Sequence, residues 1–133
     1  MEEKILKDLV GFNTIKDRQN KEILDYIQSY LENLEFTVEK RKKYLVMSYG
    51  KNPKLGFIGH SDTVEYIDGW SSDPFTLTKK GNNLYGLGAC DMKGGIAAFL
   101  SALSDIDLKK LKYGIKVIIT YDEEIAFTGI KEV

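Results

Sequence analysis

A chain of 133 residues is the size of one ordinary domain, and with 19 Lys and Arg against 20 Asp and Glu its charges nearly cancel, so no global field selects nucleic acid or an anionic membrane. No apolar stretch approaches the roughly 20 residues of a membrane helix, and the acidic, amphipathic start MEEKILKDLV lacks the basic flank and apolar segment of a signal peptide, so the cytoplasm is the expected location. The single cysteine, Cys90, excludes an internal disulfide and fits a reducing compartment.

Ile5, Leu6, Leu9 and Val10 recur at helical spacing, as do Ile23, Leu24, Ile27, Leu31 and Leu34, so two amphipathic helices open the chain. Asn20 is placed to cap the second by accepting from a free amide of its first turn. The period then changes. Phe36 to Lys40 and Tyr44 to Tyr49 are short, β-branched and aromatic, and Gly50-Lys-Asn-Pro53 follows as a turn signal, which predicts a pair of strands. The basic run Lys40 to Lys43 between them reads as a solvated strand end. Leu55 to His60 is a continuous apolar run, the pattern of a strand covered on both faces. Phe75 to Lys80 and Leu84 to Leu87 flank Gly81-Asn-Asn83 as a hairpin. Ile96, Ala97, Phe99, Leu100 and Leu103 restore the helical period, and Ile115 to Tyr121 reads as another buried strand. This order predicts an α/β domain with a mixed, largely parallel central sheet flanked by helices, its two most apolar strands at the centre.

Three clusters of chemistry-bearing residues fall at one level of that sheet. His60, the only histidine, and Asp62 end the first apolar strand, Asp91 precedes the third helix, and Asp122-Glu123-Glu124 follows the last strand. In an open α/β sheet, sites form outside the carboxyl ends of the strands. Each cluster alone has a structural explanation: a hydrogen-bonded histidine, a helix cap at Asp91, an acidic turn opposing a helix dipole. Together they point to a cation, because carboxylates held close at strand ends repel one another without one. Residues two apart on a strand point the same way, about 6.6 Å apart at ~3.3 Å per residue. Asp62 is therefore placed to reach a ring nitrogen of His60, the usual support of a metal-bound histidine. A phosphate-loop reading of Gly86 to Gly95 fails, because the sixth position of G-x-G-x-x-G is Asp91 and no Gly-Lys-Ser/Thr follows.

GHSDTV at 59–64, W-x-x-D-P-F at 70–75, L-Y-G-x-G-x-x-D-M-K-G-G at 84–95 and D-E-E at 122–124 with Gly129 resemble, in order and spacing, the zinc-dependent amino-acid deacylases and exopeptidases. That family includes acetylornithine deacetylase, succinyl-diaminopimelate desuccinylase, aminoacylase and several di- and tripeptidases. The resemblance implies a zinc-exopeptidase-like catalytic domain with two Zn2+ ions, for which Co2+ or Mn2+ can substitute. In it His60 binds one metal, Asp91 bridges both and Glu124 binds the other, while Glu123 is the general base and Asp62 orients His60. A cis peptide between Asp91 and Met92 is implied as well. The implied reaction is amide hydrolysis of an N-acyl amino acid, acetylornithine deacetylase-like, by metal-activated water, with a di- or tripeptidase as the alternative. Trp70 and Phe75 either shape the cleft mouth or pack beside Asp73-Pro74.

Members of that family also carry a second histidine near the C-terminus, a further carboxylate beyond the Glu-Glu pair and a smaller inserted domain that mediates dimerisation. No residue here matches these. The resemblance therefore implies that residues 1–133 are the N-terminal portion of the catalytic domain, without the dimerisation (lid) domain and the C-terminal part. The parent is expected to be a homodimer and the 133 residues alone inactive. The other alternative is a non-catalytic remnant with weak metal binding or self-association through unpaired strands.

Overall fold

A computed structural model describes residues 1–126 and 128–132. Helices α1 (Glu2–Gly11) and α2 (Asn20–Glu32) open the chain, followed by strands β1 (Thr37–Arg41), β2 (Tyr44–Tyr49) and β3 (Leu55–His60). A small hairpin of β4 (Thr78–Lys80) and β5 (Asn83–Tyr85) leads to α3 (Lys93–Asp105), then to a 3-10 turn, β6 (Ile115–Thr120) and α4 (Thr128–Glu132). No helix among the described residues is long and apolar enough to cross a membrane.

The main sheet runs β1-β2-β6-β3. Strands β1/β2 and β2/β6 pair antiparallel, and β3/β6 pair parallel. The fold is thus the mixed α/β arrangement that the order of elements predicts, although among the described residues its parallel share is the single β3/β6 pair. The reason is local: Lys42 and Lys43 join β1 to β2 by a tight return, with the Lys42 amide donating to the Tyr44 carbonyl, and such a short link permits only antiparallel pairing.

Period-two alternation on β6 sends Ile115, Val117 and Ile119 to one face, where Leu45 and Met47 of β2 join them. The apolar stripes of the helices, Ile5, Leu9 and Val10 of α1, Ile23, Leu24, Ile27 and Leu31 of α2, and Ile96, Ala97, Leu100 and Leu103 of α3, close over that face as one core. Burial of these stripes supplies most of the stability of helices only 10 to 13 residues long.

Two expectations fail. Among the described residues strand β3 lies at the edge of the sheet and not at its centre, and Leu55 and Ile58 are 57% and 61% exposed. Ile58 lies on the open face, while on the opposite face, which Leu55 shares, Phe57 stacks on Phe99 of α3 with ring centroids 4.0 Å apart. An apolar run records that both faces are apolar, not that this chain covers them. Asn20 does not cap α2 either. Gln19 precedes the helix, and the buried Asn20 side chain donates its amide to the Lys16 carbonyl. Hairpin β4/β5 forms where expected, with Gly81 at positive φ in its turn.

Leu24→Ala removes a fully buried side chain from the centre of this core and should lower unfolding free energy by about 2–5 kcal/mol in urea titrations. Leu55→Ala on the exposed edge should change it by no more than about 0.5 kcal/mol.

Candidate metal centre

The parallel register sets the site. His60 lies opposite Thr120, and the Ser61 amide donates to the Thr120 carbonyl at 2.8 Å. Both strands therefore end at one level, and the segments that leave them, Ser61 to Thr63 and Asp122 to Glu124, run side by side. Helix α3 starts over the same edge and brings Asp91 to it.

The three clusters meet at the imidazole of His60. Its Nε2 lies 3.0 Å from Asp91 Oδ1 and 3.8 Å from Glu123 Oε2, and its Nδ1 lies 3.5 Å from Asp62 Oδ1 and 3.2 Å from the Asp62 carbonyl. Ligand atoms of His60, Glu123 and Glu124 all fall within 4.8 Å of one another. His60 is buried and Glu123 and Glu124 are half-buried, whereas the Asp91 side chain is 74% exposed.

Asp62 does more than the strand spacing suggests. Its carboxylate is fully buried and accepts from the Glu124 amide at 2.9 Å and the Glu123 amide at 3.3 Å, besides facing the imidazole. One side chain thus fixes the ring of His60 and the turn that carries both glutamates. Asp122 holds the far end of that turn, where its carboxylate accepts from the Gly129 amide and the Thr128 hydroxyl. A side chain at position 129 would collide with it, since a Cβ there would lie 2.7 Å from Asp122 Oδ1.

The glycines of the 86–95 stretch serve close approach. Gly88 has φ of 76°, and a Cβ on it would come within 2.5 Å of Thr63; a Cβ on Gly94 would lie 2.3 Å from the Ala89 carbonyl oxygen. Between them the Asp91–Met92 peptide is cis. Met92, and not Asp91, occupies the cap position of α3, so Asp91 is free of the capping role.

The charges explain one another. Burial opposes protonation of His60, but the hydrogen bonds and field of Asp62, with Asp91, outweigh it and push the imidazole up from 6.5 to about 9. The Glu124 carboxyl is held above the usual carboxylate range, first by burial and then by Glu123 and Asp91. One imidazole among crowded carboxylate oxygens is a donor set suited to a divalent cation, which relieves the repulsion that adds to burial at Glu124.

Sequence reasoning missed Lys93. It is 1% exposed, and burial pushes its ammonium down to about 8. The signal was there: Lys93 stands three and four residues before Ile96 and Ala97, on the inward stripe of α3.

Fold and cluster together define an α/β domain with a candidate metal centre at the carboxyl ends of its parallel strands. The chain belongs to peptidase family M20/M25/M40, whose pattern it matches over residues 56–133. It is 37% identical over 124 residues to acetylornithine deacetylase of Photorhabdus laumondii subsp. laumondii, an alignment covering 86% of this chain and 32% of that protein. The M20 family metallo-carboxypeptidase Sso-CP2 from Sulfolobus solfataricus superposes with a TM-score of 0.81 at 25% identity, over 98% of this chain and 33% of that one. Human carnosine dipeptidase 1 shares the fold, with a TM-score of 0.84 at 24% identity, over 98% and 34% of the respective chains. The chain spans about a third of the length of the curated relatives it matches.

Because His60 is the sole histidine, its ring protons can be followed directly by NMR. With chelator present they should titrate near pH 9, and Asp62→Asn should move the midpoint down; a midpoint at 6.5 in the unsubstituted protein contradicts the network described. Since the folded value lies above the unfolded one, this group's stabilisation is complete below about pH 6.5 and is lost as pH rises through about 9.

Proposed function

We propose that the protein is a zinc-dependent amide hydrolase that removes the acyl group from an N-acyl amino acid of the acetylornithine type. The observation that carries this is the meeting of His60 with Asp91, Glu123 and Glu124 at the carboxyl ends of β3 and β6. The 37% identity to an acetylornithine deacetylase supports the substrate class. In this reading His60, Asp91 and Glu124 would hold the zinc, and Asp62 keeps the Nε2 edge of His60 turned toward the other two.

Bound zinc would supply Lewis acidity, bringing the pKa of water toward 7 and polarising the scissile carbonyl. The residues of the chain do the rest. Glu123 Oε2, 3.8 Å from the His60 ring, accepts the proton of the attacking water as the carbon–oxygen bond forms, and then delivers it to the departing amine nitrogen as the carbon–nitrogen bond breaks. The backbone hold of Asp62 on residues 123 and 124 keeps that carboxylate within reach of both positions.

The 133 residues are proposed to be the N-terminal portion of the catalytic domain, in keeping with their span of about a third of the relatives' length, with further metal donors and the dimerising domain supplied by the remainder. On that basis the 133 residues alone bind metal weakly and do not turn over. A dipeptidase is the second reading, and the fold shared with carnosine dipeptidase 1 favours it.

Glu123→Gln in the intact protein should lower hydrolysis of N-acetylornithine by about 100-fold or more while zinc content by metal analysis stays unchanged. Loss of zinc would exchange the roles of Glu123 and Glu124. Parallel assays with N-acetylornithine, N-succinyl-diaminopimelate and dipeptides separate the deacylase from the peptidase.

A further inference from the structure

The connection between α1 and α2 lies outside the residues that match the family pattern, yet it touches both halves of the metal centre. The Thr14 hydroxyl donates to the Ser61 carbonyl at 2.9 Å, and the Thr63 amide donates to the Thr14 carbonyl at 3.3 Å. These contacts grip the chain on either side of Asp62, and Ile15 bridges Thr63 in parallel. Two residues earlier, the Phe12 carbonyl accepts from Lys93 Nζ at 2.8 Å. Lys93 directly follows the Asp91–Met92 peptide, and its own amide is fixed to the Gly88 carbonyl at 2.9 Å.

The connection is stiff in itself. Asn13 and Gln19 bond reciprocally, amide to Oε1 at 2.7 Å and amide to carbonyl at 2.9 Å, and Asn13 Oδ1 accepts from the Ile15 amide. Thr14 is fully buried. An ammonium buried against one carbonyl is costly to the fold and is easily exchanged for an apolar side chain when only packing is at stake.

Resting on the metal-hydrolase reading, we propose that Phe12 to Ile15 form a brace that sets the spacing between the His60/Asp62 end and the Asp91 end of the metal centre, with Lys93 and Thr14 as positioning residues. Neither is among the residues that would hold the metals. Lys93 holds the turn that presents Asp91, whose exposed side chain otherwise meets the His60 ring at 3.0 Å, and Thr14 holds the strand end that presents His60.

The test is Zn2+ titration calorimetry, the visible absorption of the Co2+-loaded protein and thermal unfolding, on the intact protein and its Lys93→Met, Thr14→Val and Thr14→Ser variants. Lys93→Met should unfold at the same or a higher temperature, bind Zn2+ about 10-fold more weakly and show displaced Co2+ bands. Thr14→Val should weaken binding in the same sense, and Thr14→Ser, which keeps the hydroxyl, should restore it. Unchanged Zn2+ affinity and Co2+ bands in folded Lys93→Met or Thr14→Val overturn the brace; if Lys93→Met does not fold, the Thr14 pair decides. Failure of the unsubstituted protein to take up Zn2+ or Co2+ removes the metal reading and the brace with it, whereas binding by the unsubstituted protein with indifferent variants removes the brace alone.

Discussion

A carboxylate with no contact with water, such as that of Asp62, must have its charge met by donors held in place, or the segments around it will not stay folded together. Here the donors are the amides of Glu123 and Glu124 and the facing imidazole of His60. Hydrogen bonds to an ionised acceptor are stronger than neutral ones, so two pieces of chain far apart in sequence are tied at one atom group. The parallel register of β3 and β6 is what allows this. A slip of one residue turns Asp62 to the other face of the sheet and leaves its charge buried without partners.

The same constraint shapes the repulsion at the centre. Asp62 neutralises part of its charge through backbone amides, which carry no charge of their own to spend on Glu123, Glu124 or Asp91. Those three carboxylates therefore still face one another, and at Glu124 their repulsion adds to burial, the larger cause, in raising its affinity for protons. Asp122 closes the turn on its outer side through Thr128 and Gly129, so the glutamates cannot relax by swinging away with the start of α4. A fixed backbone with crowded acidic side chains is an arrangement that binds a cation in preference to protons near neutral pH.

Much of this was legible in the sequence, and the parts that were not share a cause. Helical and strand periods located α1, α2, α3, β2 and β6, because burial of a stripe is a one-dimensional pattern. The positions of His60, Asp62, Asp91 and Glu123-Glu124 at strand and helix ends were enough to bring them to one place. Neighbour relations were not readable. That β3 is an edge strand depends on which strand pairs with it, and the Leu55 to His60 run is equally apolar in either position. The grip of Asp62 on two backbone amides leaves no trace in side-chain identity, since every residue but proline offers that donor. Asn20 was misassigned because its side chain serves the preceding connection, a tertiary demand that outranks a capping preference.

Order in the centre is uneven, and the unevenness says how it is built. His60 is held by burial and by Asp62, and the glutamates are held by the anchored turn, but the Asp91 side chain is mostly in solvent. A side chain exposed in that way keeps its place only if its backbone does. The backbone around it is unusually confined: Gly88 and Gly94 sit where a Cβ would strike Thr63 and the Ala89 carbonyl, and Lys93 is bonded through both its amide and its ammonium. Fixing the main chain holds the exposed carboxylate within reach of the His60 ring. It also accounts for the buried lysine, because an apolar residue in its place would pack against the core but would not reach across to the Phe12 carbonyl.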